Sequence, residues 1–299
     1  PADTTDVSLK SLKIAGETAA ISSSTVGGVT RYVCVAELED VTSLTGLEVV
    51  AKLGSTSARA TLGGTSGTQS GKTVTFTNVD LTSSKNLVIT NSTYSRTYQV
   101  SAHIKDGTVT VHIAIRSFLA DEYLENRTNW YSGYGTSSVS SSEKTRLLGV
   151  ASYLRSANSP TTSTETKNYN GNGPLSQEAS GRMIFSEESY VTLNVPASYT
   201  VRDALNSFTS NTTYFPNGFA ITGSDSYIEA MGQTSSNVMG EFDCGSASGW
   251  MYTARTSRTD VTSALPNAGA NTWPVSNGMY IDWYYTAAYG MDFGYSMFG

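Results

Sequence analysis

In the first third of the chain, apolar and β-branched residues alternate with Ser, Thr and charged residues in runs too short for helices. The runs are Val7–Ile14, Thr30–Leu38, Leu47–Leu53, Thr73–Thr77 and Asn86–Thr90, and Gly, Ser, Thr and Asp separate them. A period of two over segments this short predicts half-buried strands, and their spacing predicts an antiparallel β-sandwich over residues 6–118. The sharpest pattern runs from Arg96 to Arg116, where Asp106-Gly107 predicts a hairpin turn. Pairing Lys105 with Thr108 then sets Ile104 against Val109, Ala102 against Val111, Val100 against Ile113 and Tyr98 against Ile115. The same register sets His103 against Thr110 and His112 against Ser101, diagonal neighbours on the outer, polar face, with only Asp106 available as a further ligand or orienting carboxylate. Solvated histidines are therefore expected there.

The pattern then lapses. Residues 119–179 are dominated by Ser, Thr, Gly and Asn and predict a linker, with one short helix over about 141–155. Ser140 followed by Glu143 is a capping-box pair, Leu147, Val150, Ala151 and Leu154 form an apolar stripe, and Asn158 with Pro160 ends the helix. Ser141-Ser142-Glu143-Lys144 matches the Ser-x-x-Lys of penicillin-recognising enzymes, but its Lys-Thr-Gly partner motif is absent from the sequence.

From about residue 180 to 299 the pattern changes again. A strand or hairpin is expected over Arg182–Val195. A helix capped by Thr200 follows, with Val201, Ala204, Leu205 and Phe208 on one face, and then a short apolar segment, Tyr227–Met231. The rest is rich in rings. In Met279–Thr286, Met279, Ile281, Trp283 and Tyr285 share one face of a strand, and Tyr280, Asp282, Tyr284 and Thr286 the other. Aromatic residues on both faces exceed what a one-sided core requires. Trp250, Tyr252, Trp273, Tyr284 and Tyr289 are therefore candidate ligand-binding residues, because Tyr and Trp present rigid area with a polar tip. Core packing is the competing reading for Trp250 and Trp283.

Composition narrows the class. Charged residues make up 15% of the chain, against about 25% in ordinary globular domains, so hydroxyls carry much of its solubility. The net charge of −6 argues against nucleic acid or an anionic membrane surface as a partner. No apolar stretch is long enough for direct membrane insertion as a helix. A start at Pro1, without Met or a leader's charged and apolar segments, is expected if a leader has been removed. Cys34 and Cys244 fall in different regions, leaving two buried thiols or one bridge between regions as alternatives.

The motifs Thr-Val-Arg-Asp-Ala-Leu (200–205), Tyr-Ile-Glu-Ala-Met-Gly (227–232), Ser-Gly-Trp-Met-Tyr (248–252), Asn-Gly-Met-Tyr-Ile-Asp-Trp-Tyr-Tyr-Thr (277–286) and Asp-Phe-Gly (292–294) occur in this order. Together they resemble the transcobalamin-like C-terminal β-grasp domain of exported proteins from Gram-positive bacteria. Residues 253–255 are Thr-Ala-Arg where that family has a Val-Asn-Gly turn, and a Ser/Thr/Asn-rich insertion follows up to Thr272. Asn86–Ile115 is similar to the end of bacterial cadherin-like or immunoglobulin-like surface sandwiches. These resemblances imply a mainly β chain with an α+β part: a sandwich followed by a β-grasp-like domain. They also imply an extracellular or cell-surface location.

Catalysis is not expected. The sequence lacks HExxH, Gly-x-Ser-x-Gly, P-loop and dinucleotide motifs. The adjacent pair Glu187-Glu188, read as part of a strand, points to opposite sides. The expectation is a non-enzymatic binding protein without a cofactor, whose ligand is a corrinoid, a carbohydrate, or a host or cell-surface protein. A structural stalk or adhesion subunit, in which Lys–Asn isopeptide bonds would be a signature, is the alternative.

Overall fold

The alternating runs do become strands, and β-branched side chains on a half-buried surface are why. The computed structural model describes residues 3–126, 139–157, 184–260 and 268–295. The chain is mainly β with added helices. It divides into unit 1, comprising 1–109, 196–200 and 267–277, and unit 2, comprising 110–195, 201–266 and 278–299. The Ser/Thr-rich stretches at 127–138 and 158–183, and the insertion at 261–267, lie outside the described residues.

Unit 1 contains β1 (Leu9–Ile14), β2 (Glu17–Thr18), β3 (Ala20–Val26), β4 (Val29–Leu38), β5 (Leu47–Leu53), β6 (Arg59–Leu62), β7 (Thr65–Ser66), β8 (Thr68–Ser70), β9 (Thr73–Val79), β10 (Lys85–Asn91) and β11 (Tyr94–Ile104). They form a five-stranded sheet, β2-β1-β5-β9-β8, and a six-stranded sheet, β3-β4-β11-β10-β6-β7. Leu12, Ile14, Val49, Ala51 and Phe76 of the first meet Cys34, Ala36, Leu87, Ile89 and Val100 of the second in one apolar cluster. Burying each Leu, Ile or Val side chain in this way stabilises the fold by about 1.5–3 kcal/mol. The sandwich is not wholly antiparallel, because β4 and β11 pair in parallel, Tyr98 opposite Tyr32 and Ile104 opposite Leu38.

Unit 2 holds most of β12 (Thr108–Arg116), then α1 (Phe118–Asn126), α2 (Ser141–Leu154), β13 (Val191–Pro196), α3 (Val201–Ser210), β14 (Ala220–Gly223), β15 (Ile228–Thr234), β16 (Asn237–Gly240), β17 (Gly249–Arg255) and β18 (Met279–Thr286). Its sheets are β13-β12-β18-β17 and β14-β15-β16. Helix α2 forms as expected: Ser140 Oγ accepts from Glu143 N at 3.2 Å, and Leu147, Val150, Ala151 and Leu154 are buried. Helix α1 corrects the expectation of a linker. It buries Phe118, Leu119, Ala120, Tyr123 and Leu124, and Ser117 Oγ donates to the Ala151 carbonyl of α2 at 2.6 Å.

The expected hairpin is also corrected. The turn exists, with Asp106 at φ +57° and Gly107 N donating to Ile104 O at 3.0 Å. Beyond it the strands part: β11 pairs with β10 and β4, whereas β12 pairs in parallel with β18, Val111 opposite Met279 and Ile115 opposite Trp283. Alternation fixes which face of a strand is buried but not which strand lies beside it, and any neighbour of the same period satisfies it. His103 and His112 are consequently not cross-strand neighbours. His103 Nε2 meets Glu37 Oε2 of β4 at 3.1 Å, and His112 stacks on Tyr280 of β18 at 4.3 Å.

Between β12 and β17, β18 is buried on both sides. One face carries Ala114 and Arg116 of β12, Asp282 and Tyr284 of β18, and Thr253 and Arg255 of β17. Phe118, Phe185, Tyr190, Phe293 and Tyr295 cover it. The other face carries Ile113, Ile115, Ile281, Trp283, Tyr285 and Trp250. Under the aromatic cover, Arg116 Nε donates to Asp282 Oδ1 at 3.0 Å and Arg255 donates to Asp282 Oδ2 at 2.7 Å. The Tyr190 hydroxyl adds a third donor at 2.9 Å. Arg116 also lies over the Phe185 ring at 3.9 Å. Burial opposes the charge on Asp282, but Arg255 and Arg116 outweigh it and hold the carboxyl below its ordinary value.

Candidate functional site

Most of the expected ring residues have supporting positions. Tyr284 is sealed under Phe293, 4.1 Å between ring centres, and Trp250 is buried with its indole N–H donating to Met239 O at 2.8 Å. Both are corrected from ligand contacts to core, because β18 has two packed faces instead of one. Tyr252 is half-buried and stacks on Trp283 at 5.0 Å. Trp273 is half-buried and falls in unit 1. Tyr289 alone of the five is exposed, at 42%.

Tyr289 has company that the sequence did not disclose. Tyr227 and Phe242, also in unit 2, are 52% and 65% exposed. Three connected loops display these rings. The first is the turn Ser224–Tyr227 between β14 and β15, where Gly223 has φ +109° and a Cβ would strike Tyr227 O at 2.4 Å. Arg202 of α3 donates to the Ser224 carbonyl at 2.9 Å and steadies the turn. The Tyr227 hydroxyl donates to Glu241 Oε2 in the second loop. Burial first, and then Glu241, push that phenol up to about 12.

The second loop, 241–248, joins β16 to β17. Its ends are tied by Phe242 N donating to Ser248 O at 3.0 Å, and Asp243 accepts from Gly240 N at 2.7 Å. From beneath, the buried Tyr285 hydroxyl donates to Gly240 O at 2.7 Å. The third loop follows β18. Tyr289 N donates to Ala247 O at 3.1 Å and its hydroxyl to Ser246 O at 3.3 Å, joining this loop to the second. Its shape is held by Thr286 and Asp292: Thr286 Oγ1 accepts from Gly290 N at 2.7 Å and donates to Asp292, which also accepts from Ala287 N at 2.8 Å. Burial pushes the Asp292 carboxyl up to about 6, against these hydrogen bonds.

Backbone conformation separates this site from ordinary turns. In unit 1 the non-glycine residues at positive φ are Ala15, Asn78, Ser92 and Asp106, small or turn-forming types. In unit 2, among the described residues, they are Phe242 at φ +69° and Tyr289 at φ +51°, both large, both exposed and on adjoining loops. A bulky residue in this region is strained, and such strain concentrates at binding sites. Only the dihedral could have revealed Phe242, since nothing in Gly240-Glu241-Phe242-Asp243 marks it as exposed.

Compared with known proteins, the chain matches no family model, no curated protein and no solved structure.

The rim is acidic: Glu241 bonds Tyr227, Glu229 lies close enough to raise the same phenol, and Asp225 faces Arg202. It suits a ligand that offers apolar faces for stacking and donors for carboxylates. Among the described residues no cluster of His, Cys, Asp and Glu is arranged to hold a metal, and no helix is long and apolar enough to cross a membrane. Cys34 and Cys244 are free and buried, with burial pushing each thiol up to about 12. Glu187 and Glu188 occupy a 3-10 turn instead of a strand, and Glu187 accepts from the Tyr280 hydroxyl at 3.1 Å. Unit 1 has a cleft of about 240 Å³ lined by Thr65, Ser66, Thr68, Asn78, Asp80 and Lys85. Its one ring, Phe76, belongs to the core.

Proposed function

We propose that this protein is a non-catalytic, exported bacterial cell-surface binding protein whose unit 2 captures a neutral glycan on Tyr227, Phe242 and Tyr289. The observation that carries this reading is the pair of exposed rings held in left-handed backbone on two hydrogen-bonded loops. Sugar C–H faces stack on such rings, and sugar hydroxyls donate to carboxylates placed like Glu241 and Glu229. The resemblance of residues 180–299 to transcobalamin-like domains brings in a corrinoid as the other small-ligand class, with the same rings as its stacking surface. Both histidines have side-chain partners: His103 pairs with Glu37, and His112, whose pKa burial lowers, hydrogen-bonds Thr192. A structural stalk is the alternative; the buried amide of Asn91 is held by the carbonyls of Asp3 and Asp6 and by the Ser57 hydroxyl.

Thermal shift of the full chain against a neutral-glycan panel and cobalamin tests the proposal. The glycan panel should raise the melting temperature with occupancy, and Phe242→Ala or Tyr289→Ala should abolish the shift. A shift that survives both substitutions, a shift with cobalamin alone, or no shift with either class overturns it.

A further inference from the structure

Among the described residues, unit 1 presents four sheet edges, and three are very short. β2 and β7 have two residues each and β8 has three. Short edges are a standard way to prevent strands of separate molecules from pairing. The fourth edge, β3, has seven residues, Ala-Ile-Ser-Ser-Ser-Thr-Val, with no charge and no proline. It also has no bulge: it pairs with β4 without a break, from Ala20 opposite Val35 to Val26 opposite Val29. By contrast the β1–β5 and β5–β9 ladders both shift register. Ile21 and Val26 are 38% and 45% exposed, so the strand is open on its faces as well as at its edge.

The register says which backbone groups are available. A two-residue Gly27-Gly28 turn, with φ +58° and +77°, makes Val26 and Val29 a hydrogen-bonded pair. Alternation along an antiparallel ladder then directs the N–H and C=O of Ser24 and Ser22 toward β4, and those of Thr25, Ser23 and Ile21 outward. The Gly269 N–H that reaches this strand bonds the Ser24 side chain at 3.1 Å, and among the described residues no turn or loop backbone hydrogen bond goes to those outward groups.

We propose that β3 is an association edge at which a second copy of this chain adds its own β3 antiparallel, joining two six-stranded sheets into one. The edge is self-complementary. A two-fold axis at Ser23 sets Ser23 against its counterpart and Ile21 against the counterpart of Thr25, so each outward residue meets an outward residue. Ala20 then faces the counterpart of Val26, and Ser22 that of Ser24, pairs of β-branched and hydroxyl side chains that suit cross-strand contact. The chain carries −6 overall but none of it on this strand, so two copies approach here without local repulsion. One strand pair is a small interface, and the dimer is correspondingly weak and concentration-dependent.

Sedimentation equilibrium of the full chain from micromolar to millimolar concentration tests this. The wild type should show a reversible dimer. Ser23→Pro removes an outward N–H that β4 does not use, and Ser23→Lys with Thr25→Lys adds charge to the edge. Each should weaken dimerisation at least tenfold with an unchanged melting temperature. Ser23→Cys should give a covalent dimer on oxidation that Thr25→Lys suppresses, since Cys34 and Cys244 are buried. A chain that stays monomeric at millimolar concentration overturns the proposal, including the case where β3 accepts only a strand of a different protein. A dimer that tolerates both edge variants overturns it too.

Discussion

The two units solve the burial problem in opposite ways. Unit 1 closes an uncharged, mainly apolar cluster between two sheets. Unit 2 covers both faces of β18 and places a carboxylate and two guanidiniums under aromatic rings. An apolar core gains free energy from area, whereas a buried charge cluster contributes through geometry, because its desolvation cancels much of its attraction. Unit 1 should therefore tolerate small changes gradually, and unit 2 should fail when one ionic partner is removed.

The largest effect should follow Asp282→Asn, which strands Arg116 and Arg255 in a dry site. A loss of about 3–5 kcal/mol is expected. Residue-resolved hydrogen exchange should report it in β12, β17 and β18 and leave the β5 and β10 amides protected; equal loss in both units would erase the contrast. Leu12→Ala, at a fully buried position of unit 1, should cost about 2–5 kcal/mol by denaturant unfolding with the unit 2 amides unaffected.

Third comes pH. Asp292 binds its proton more tightly in the folded state, at about 6, than at its ordinary 3.8. The folded state therefore gains stability as pH falls from about 6 to about 4, up to roughly 3 kcal/mol for a two-unit difference. Asp282 has the opposite sign: its lowered value contributes stability above its ordinary pKa of 3.8 that is lost as pH falls through the folded pKa. His112, also lowered, opposes Asp292 by losing stability as pH falls below 6.5. The wild type minus Asp292→Asn difference, measured by melting between pH 4 and 7, isolates the first effect. A flat difference removes it.

Ser140→Ala, which deletes the α2 cap, should cost about 1 kcal/mol in unit 2 melting. Smallest of all, Phe242→Gly relieves about 1 kcal/mol of left-handed strain and gives back a similar amount in chain entropy. Its melting temperature should barely move while glycan binding is lost. A large destabilisation would make Phe242 a structural residue instead.

The same contrast explains what was legible in the sequence. The strand positions of unit 1 and the capped helix α2 follow from alternation, a turn pair and a Ser-x-x-Glu signal, all local. Strand partners do not: Ile104 suited Val109 and Ala102 suited Val111, but Ile104 lies opposite Leu38 of β4 and Val111 opposite Met279 of β18. The two-faced aromatic pattern of Met279–Thr286 was visible and its meaning was not, since spare rings and a second core look alike until the cover supplied by Phe118, Phe185 and Phe293 is known. Of the proposed binding rim, Tyr289 was found by its ring; Phe242 and Tyr227 required backbone angles and loop contacts.

The parallel pairing of β12 with β18 has a consequence for biogenesis. Val111 waits for Met279, 168 residues further on (279 − 111). β13 (Val191–Pro196) emerges first and covers one edge of β12, but at roughly 5–20 residues per second the edge of Val111–Ile115 that takes β18 stays open for about ten to thirty seconds. Chaperone capture during translation is expected for that interval. A fragment that starts at residue 180 lacks this strand altogether, so expressing it alone should yield aggregate.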